Sequence, residues 1–179
     1  MKEIVYHVAI SLDGFIAQSD GAAEGFLGEG PHVSDYLESL KAYDTAIMGR
    51  KTYEFGYGFG LKPGENPYPH MQTYVFSQRL LLTDGAENQI HCVREDYVAT
   101  VKELRAGAGK PIYLCGGGTF AGLLMDHGLV DRLVLKLNPV SFGQGIPLWR
   151  CKNPSIQRFG LEKRKEYENG LLLLEYTRH

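Results

Sequence analysis

The sequence predicts one α/β domain built around a mixed β-sheet, and three observations support this prediction. Residues 111–137 run from an apolar strand through three glycines to an amphipathic helix and a second strand. That order is a βαβ unit, which requires parallel pairing and a right-handed crossover. Asn169-Gly170 separates two strand-like runs, a strong signal for an antiparallel hairpin. Short apolar segments alternate with amphipathic ones in the first hundred residues, so further strands are expected to join the same sheet.

Length and composition fit a single domain spanning residues 1–179. A chain of 179 residues that is 44% hydrophobic can form a core without disulfides or metals. Its formal net charge of −2 argues against nucleic acid or an anionic membrane as a partner. The 3 cysteines show no CxxC spacing, and no apolar run approaches the roughly 18 residues of a membrane helix. We therefore expect a cytoplasmic protein.

Glycine is the unusual component of this composition. The chain has 22 glycines in 179 residues, whereas an average protein has about 7%. With only 8 prolines and no low-complexity run, these glycines are expected at particular backbone positions. Many lie in two long segments, residues 14–31 and 55–70, which we expect to be loops that cover or admit a ligand.

The first half of the chain contains three predicted strands and one helix. Ile4–Ile10 is rich in β-branched and aromatic residues and ends in Ser-Leu-Asp-Gly, which is typical of a buried strand followed by a turn. Residues 32–43 place apolar side chains at helical spacing and predict a helix. Residues 44–48 and 73–77 are short apolar segments that predict two more strands.

The second half continues the alternation of strands and helices. Predicted strands occupy residues 90–93, 111–115, 129–137, 161–167 and 171–176, and predicted helices occupy residues 95–106 and 119–127. Gly107 can end the first of these helices.

The triglycine is the first candidate binding site. Glycines between a strand and a helix let backbone N–H groups approach a phosphate, and the positive end of the helix dipole favours the anion. A tight turn alone would need one glycine, whereas Gly116, Gly117 and Gly118 are consecutive and are followed by the hydroxyl of Thr119. The spacing matches neither G-x-G-x-x-G nor the Walker A loop. We therefore expect a phosphate or dinucleotide held by a fold of another kind.

Two further clusters follow predicted strands. Gly49-Arg50-Lys51-Thr52 combines a glycine with two cations and a hydroxyl, and Ser77-Gln78-Arg79 has a similar character. A guanidinium offers a planar fork for a phosphate, although an Arg-Lys pair at a helix start can also be merely solvated. Together with the triglycine, the two clusters predict a site for NADPH and its additional 2′-phosphate.

Several ordered motifs resemble a known superfamily. Residues 48–54 (MGRKTYE) and 112–120 (IYLCGGGTF) are similar to segments of dihydrofolate reductases. Residues 11–17 (SLDGFIA) and 116–149 are more similar to the reductase domain of the bifunctional riboflavin-biosynthesis deaminase-reductase. The resemblance covers nearly the whole chain. It implies a dihydrofolate reductase-like, three-layer fold with helices on both faces of a mixed sheet, and NADPH as hydride donor.

The resemblance also implies roles for individual residues. It implies that the cofactor is bound by Gly49, Arg50, Lys51, Thr52, Ser77, Gln78, Arg79, Gly116, Gly117, Gly118, Thr119 and Phe120. The triglycine of the family carries a cis peptide bond, and the matching bond here joins Gly116 and Gly117.

Asp13 and Asp35 are the candidate catalytic residues. One follows the first strand and the other lies on the first predicted helix, so both are expected near the mouth of the sheet. Reduction of a C=N bond needs orientation and a proton but no nucleophile. His7 lies within an apolar strand and is expected to be a core histidine with satisfied hydrogen bonds. The other histidines show no metal-ligand spacing, so no metal is expected.

The resulting functional hypothesis is an NADPH-dependent reductase acting on a C=N bond or on a ribosylamino-pyrimidine, as a 5-amino-6-(5-phosphoribosylamino)uracil reductase does. Dihydrofolate reductases carry a tryptophan before the first helix, whereas the only tryptophan here is Trp149. A folate reductase and a non-catalytic dinucleotide-binding protein remain the alternatives. The substrate is expected to be a small molecule. A homodimer is expected, and the aromatic residues of 53–59 are either an oligomer contact or a wall of the ligand site.

Overall fold

A computed structural model describes residues 1–80 and 89–179 as a large central sheet with helices on both sides. The strands are β1 (Ile4–Ile10), β2 (Phe15–Ala17), β3 (Thr45–Gly49), β4 (Gln72–Phe76), β5 (Ile90–Val93), β6 (Ile112–Gly116), β7 (Arg132–Leu137), β8 (Ile146–Pro147), β9 (Phe159–Glu166) and β10 (Leu172–Arg178). The α-helices are α1 (Pro31–Ser39), α2 (Arg50–Phe55), α3 (Tyr97–Ala106) and α4 (Gly118–Asp126). Short 3-10 turns occupy Leu40–Ala42 and Gly56–Phe59.

The central sheet contains eight strands in the order β5-β4-β3-β6-β1-β7-β10-β9. The first six of these are parallel to one another, and β10 pairs antiparallel with both β7 and β9. The sheet is therefore mixed, as predicted. Because the six parallel strands run in one direction, their carboxyl ends lie along one edge, where open α/β sheets place their ligands.

Two apolar clusters, one on each face, fix the three layers. Side chains alternate along each strand, so Ile4 and Tyr6 of β1 lie in one cluster while Val5 lies in the other. The first cluster packs under α3 and α4 and includes Val101 and Leu124. The second packs under α1, α2 and the turns that follow them. The predicted fold class, with helices on both faces, is confirmed.

The hairpin predicted at the C-terminus is also confirmed. The backbone N–H of Tyr167 donates to the carbonyl of Leu171 at 3.0 Å, and the N–H of Gly170 donates to Tyr167 at 2.9 Å. Gly170 has φ of 86°, a left-handed conformation that glycine adopts without steric cost. The turn places β9 at the edge of the sheet, with β10 between β9 and β7.

Two local features differ from the sequence-based expectation. The helix predicted over residues 32–43 begins at Pro31 and gives way after Ser39 to a 3-10 turn. The Ser39 hydroxyl donates to the carbonyl of Tyr36 at 2.6 Å, a local bond that competes with the helical ladder. The glycine-rich segment 14–31 also contains β2, which pairs with β8 in a separate two-stranded sheet.

The segment that begins with β8 packs closely against α4. The backbone N–H of Arg150 donates to the carbonyl of Gly118 at 2.9 Å. One turn later, a Cβ added at Gly122 would lie 2.4 Å from the carbonyl carbon and oxygen of Arg150. Glycine at position 122 is thus required by the approach of two backbones. Among the described residues, no helix is both long enough and apolar enough to cross a bilayer.

Replacing Gly122 should test this packing. Gly122→Ala should destabilise the protein by about 1–3 kcal/mol, because the added methyl collides with backbone that cannot rotate away. Gly58→Ala is a matched control, since nothing lies within 4 Å of a Cβ at that position. Urea denaturation of both variants would measure the difference. Equal midpoints for the two would contradict the close approach of α4 and Arg150.

Candidate active site

The pairing of β3 with β6 brings two of the predicted clusters together. Met48 and Gly116 are register partners, so the residues that follow them meet at one edge of the sheet. A Cβ at Gly117 would lie 3.1 Å from the Thr52 hydroxyl oxygen, and a Cβ at Gly49 would lie 3.4 Å from the Cβ of Phe120. The strand ends therefore form a narrow cleft floored by glycine backbone.

The cleft contains a cis peptide bond between Gly116 and Gly117, as the family resemblance implied. Gly116 has φ of 133°, a conformation that is rare for residues with a side chain. The side chains nearest to this backbone are those of Thr52, Tyr6 and Ile16. Gly116 is buried and Gly117 is half-buried, so Gly117 offers the backbone that a ligand could approach closely.

The first turn of α4 borders the same cleft. Gly117 is its N-cap, and no side chain of the described residues caps the helix. The N–H groups at such a helix start carry partial positive charge and bind phosphate groups well. Thr119 is exposed here, and its hydroxyl adds a possible donor. The residues fit a bound pyrophosphate.

The Arg50 side chain forms an ion pair within its own helix, a contact that the sequence-based hypothesis did not include. Its Nη1 donates to both carboxylate oxygens of Glu54, at 2.9 and 2.7 Å, within α2. The side chains of both residues are about one-third exposed, so this pair is accessible to a phosphate that would compete for the guanidinium. Lys51 beside it is exposed.

The third predicted cluster follows β4, next to β3. The Ser77 hydroxyl oxygen accepts from the N–H groups of Arg79 at 3.1 Å and Leu80 at 3.0 Å, which forms a serine turn. Ser77 is buried, whereas Gln78 and Arg79 are exposed. The serine thus shapes the turn, and the other two present their side chains to solvent.

An open groove of about 620 Å³ begins at Gln78 and contains residues that sequence reasoning missed. It is lined by Gln78, Arg94, Glu95, Asp96, Tyr97, Val98, Ala99, Lys102 and Leu123. Arg94 directly follows β5, and Gln78 follows shortly after β4. The position of Arg94 at a strand end was therefore a signal that sequence reasoning could have used. Lys102 lies on α3 and offered no such signal.

Asp13 joins two loops. Its carboxylate accepts hydrogen bonds from the hydroxyls of Ser11 and Ser141, both at 2.6 Å, and from the N–H groups of Phe142 at 3.2 Å and Gly143 at 2.7 Å. The bonds from Ser11 and Ser141, the strongest of these influences, hold the pKa of Asp13 below its usual value. Both oxygens are engaged by the protein.

Asp35 projects from α1 towards the C-terminal hairpin. It accepts a hydrogen bond from the Tyr167 hydroxyl at 2.6 Å and forms an ion pair with Lys165. These two bonds, that from Lys165 first, lower the pKa of Asp35. Asp35 also borders a small cavity of about 20 Å³ between α1 and the sheet, a space for roughly one water molecule.

His7, Cys115 and Lys136 form a row beneath α1, which we call the polar row. They belong to β1, β6 and β7, three adjacent strands. His7 is 3% exposed, and neither of its ring nitrogens has a hydrogen-bond partner. The expectation of a satisfied core histidine was wrong, because an apolar pattern predicts burial but says nothing about the partners inside.

Three tyrosines cover the polar row. The hydroxyls of Tyr36 and Tyr113 share a hydrogen bond of 2.9 Å, and the Tyr68 hydroxyl lies 3.3 Å from the Sγ of Cys115. Tyr68 comes from the long segment before β4 and packs edge-on against Tyr113. Burial raises the pKa of Tyr36 to about 12 and also raises that of Cys115. These groups therefore hold their protons firmly at neutral pH.

Among the residues described, no group of three or more histidine, cysteine, aspartate or glutamate side chains is arranged to hold a metal ion. No disulfide joins the cysteines at positions 92, 115 and 151.

Acid titration should reveal the buried state of His7. Burial, helped by the nearby Lys136, lowers the pKa of His7 from 6.5 to about 3. Between about pH 3 and pH 6.5, the His7 ring is protonated in the unfolded chain but neutral in the folded protein. The free energy of unfolding therefore falls as pH falls through this window. The loss due to His7 alone should reach about 3 kcal/mol by pH 4. His7→Phe should have a flatter pH dependence in urea denaturation, and parallel curves would contradict the assignment.

Comparisons with known proteins identify the family. The sequence profile of the RibD C-terminal domain matches residues 2–173. The uncharacterized Bacillus subtilis (strain 168) protein YwjB is 31% identical over 153 residues, covering 83% of each chain. The uncharacterized protein YyaP of the same organism is 27% identical over 157 residues, covering 83% of this chain and 80% of YyaP.

Solved structures show the same fold. A Shewanella sp. PV-4 protein assigned to riboflavin biosynthesis superposes with a TM-score of 0.81 at 24% identity, covering 100% of this chain and 99% of its own. A pyrimidine reductase-like protein of Corynebacterium diphtheriae gives 0.68 at 16% identity, with 99% and 92% covered. The Thermotoga maritima diaminohydroxyphosphoribosylaminopyrimidine deaminase/5-amino-6-(5-phosphoribosylamino)uracil reductase gives 0.71 at 16%, with 99% and 57% covered. With its dihydrofolate reductase-like sheet and glycine-floored cleft, the chain belongs to the RibD C-terminal domain family.

Proposed function

We propose that the protein is an NADPH-dependent reductase that transfers a hydride to the C=N bond of a ribosylamino-pyrimidine or a similar small molecule. The observation that carries this proposal is the glycine-floored cleft between β3 and β6, which the uncapped start of α4 borders. The names of the Corynebacterium and Thermotoga neighbours, a pyrimidine reductase-like protein and a uracil-derivative reductase, support the substrate class.

The described residues fit the parts of NADPH in a consistent order. The backbone of the triglycine and the first turn of α4 would hold the pyrophosphate. The adenosine would lie in the groove that starts at Gln78, where Arg94 and Lys102 are the candidate phosphate contacts beside the carboxylates of Glu95 and Asp96. Bound there, NADPH would supply the hydride, which is the chemistry that the protein side chains lack.

The proposed cofactor contacts retain all the residues predicted from the sequence. They are Gly49, Arg50, Lys51 and Thr52 after β3, Ser77, Gln78 and Arg79 after β4, and Gly116, Gly117, Gly118, Thr119 and Phe120 after β6. Ser77 would act through the turn that it stabilises, since its hydroxyl already accepts two backbone N–H groups.

The substrate side of the site lies under α1, next to Gly116. The cavity of about 20 Å³ holds one water and not a pyrimidine, so a substrate must displace a side chain that now fills the space. Tyr68 is the candidate, because it reaches Cys115 from a loop. Asp13 and Asp35 stay predictions as substrate contacts, and each would first have to release part of its present hydrogen bonding.

A comparison of NADPH with NADH tests the proposal. Arg50→Ala should weaken NADPH binding about 10–100-fold and NADH binding far less, because only NADPH has the 2′-phosphate. Glu54→Gln, which releases the guanidinium, should bind NADPH at least as tightly as the wild type. Arg164→Ala, on the exposed face of β9, is the matched control. Titration by nicotinamide fluorescence would measure all four proteins, and a wild type that binds neither cofactor at tens of micromolar would overturn the proposal.

A non-catalytic dinucleotide-binding protein is the second candidate. It is favoured by the carboxylates of Asp13 and Asp35, which are both held by protein donors rather than left for a substrate. It differs from the first candidate in a single measurement. Tight NADPH binding without oxidation of NADPH by 5-amino-6-(5-phosphoribosylamino)uracil or dihydrofolate would support it.

We also propose that the protein is a cytoplasmic homodimer. Phe55 and Phe59 lie with ring centroids 5.1 Å apart and are 43% and 76% exposed, which is unusual for large apolar side chains. Sedimentation velocity should show a dimer for the wild type and a shift towards monomer for Phe59→Ser. A monomeric wild type at tens of micromolar would overturn this assignment.

A further inference from the structure

The polar row presents three side chains of different chemistry on one face of three adjacent parallel strands, in the middle of β1 and near the carboxyl ends of β6 and β7. His7 pairs in register with Val134, and Lys136 pairs with Ala9 two residues later, so both side chains point to the face under α1. Cys115 lies one residue beyond the pair Tyr6–Leu114, at the level of His7. Since Cys115 directly precedes Gly116, the row borders the glycine-floored cleft.

Lys136 is the one cation in this row; it is half-buried and lacks an acidic partner among the described residues. Its Nζ lies 3.5 Å from the centroid of the Tyr36 ring. Within the described residues, no carboxylate lies within 4 Å of this nitrogen, because Asp35, which borders the same cavity, pairs with Lys165 instead. A lysine held against an aromatic face without a counter-ion is stabilised weakly and is available to a ligand.

The neighbours of Lys136 do not compensate its charge. His7 is neutral at physiological pH and has two free ring nitrogens, and Cys115 keeps its proton because burial raises its pKa. Tyr36 and Tyr167 border the cavity as neutral phenols, since burial raises the pKa of each to about 12. His32, on the other side of the cavity, bonds to the carbonyl of Leu27. The cavity therefore has a cation and unpaired polar atoms but no anion facing Lys136.

We propose that Lys136 is the proton donor in the reduction of the C=N bond. This inference rests on the proposed function. In a ribosylamine this C=N bond belongs to the open-chain imine, which forms when the ring C–O bond breaks and the N–H proton passes to the ring oxygen. The carbon of the imine receives the hydride and its electron pair from the nicotinamide cofactor, and the nitrogen receives a proton from the Lys136 ammonium group. The C=N double bond becomes a C–N single bond, the cofactor is oxidised, and the neutral lysine recovers a proton from solvent.

Lys136 suits this role better than the other acids nearby. Burial lowers its pKa from 10.5 to about 8, while the Cys115 thiol opposes part of the shift. A general acid works best when its pKa is close to the working pH. Burial raises the pKa of the Tyr36 phenol and of the Cys115 thiol, so both groups keep their protons at neutral pH. The pKa of Asp35 is lowered, so its carboxylate has no proton to donate at neutral pH.

Two substitutions at Lys136 separate proton donation from charge. Lys136→Met removes both the proton and the charge, whereas Lys136→Arg keeps the charge but releases no proton near neutral pH. Both variants should lower the single-turnover rate about 10²–10⁴-fold with NADPH and 5-amino-6-(5-phosphoribosylamino)uracil, with unchanged NADPH affinity. The wild-type rate should fall as pH rises through about 8, and both variants should lack this limb. Lys163→Met on the exposed edge strand is the control.

A second readout requires neither cofactor nor turnover. The side-chain NMR signals of Lys136, assigned by their absence in Lys136→Met, should titrate near pH 8 in the cofactor-free protein. The unfolded chain binds more protons than the folded protein between about pH 8 and 10.5, so wild-type stability should rise with pH in that window. Lys136→Met should lack this rise in urea denaturation.

The outcomes distinguish this inference from the proposed function. A wild type that does not oxidise NADPH with any C=N substrate overturns both. An active wild type together with a Lys136→Arg variant that keeps its rate within twofold overturns the proton-donor role alone. A Lys136 titration at 10.5 in the folded protein has the same consequence. Rate loss that is due only to weaker NADPH binding would also overturn it.

Discussion

The position of β1 between β6 and β7 is the constraint on which the rest of the structure depends. β1 pairs in parallel with both neighbours, at Tyr6–Leu114 on one side and His7–Val134 on the other. This pairing places the triglycine beside the first strand of the chain and aligns the polar row across three strands. A shift of one residue in either register would turn the side chains of His7 or Lys136 to the opposite face. The polar row is therefore a result of this pairing, and the cleft results from it together with the pairing of β6 with β3.

The two faces of the sheet serve different purposes. The face under α3 and α4 is filled by aliphatic and aromatic side chains such as Leu114 and Leu124, which are fully buried. The face under α1 carries tyrosines, a histidine, a thiol and a lysine, and the ring nitrogens of the histidine, His7, have no hydrogen-bond partner among the described residues. Unsatisfied buried polar groups cost stability, so proteins retain them mostly at functional sites. The apolar face supplies the stability that offsets this cost.

Sequence patterns predicted the features that depend on neighbours in the chain. The βαβ unit, the Asn169-Gly170 hairpin and the triglycine before α4 are encoded by consecutive residues, and the structure contains each of them. The pair Arg50–Glu54 is also local, at a spacing of i, i+4, and could have been predicted from that spacing. It was missed because the guanidinium was considered as a phosphate ligand or as a solvated group, but not as a partner of Glu54.

The features that sequence reasoning missed depend on the order of strands. The β2–β8 pair joins short segments separated by more than a hundred residues, so no local sequence pattern predicts this pairing. The groove that includes Arg94 and Lys102 exists because β5 and β4 are neighbours and α3 crosses beside α4. The unpaired nitrogens of His7 are set by which side chains surround it, which residue type and periodicity do not specify.

The four hydrogen bonds of Asp13 give that residue a mechanical role. It follows β1, and the groups that it binds at Ser141, Phe142 and Gly143 follow β7. The carboxylate therefore fastens together the far ends of the two strands that carry His7 and Lys136. The Asp13 carboxylate thus opposes sliding of β1 past β7. Hydrogen bonds at the edge of the sheet thereby maintain the distance between the His7 and Lys136 side chains further inside it.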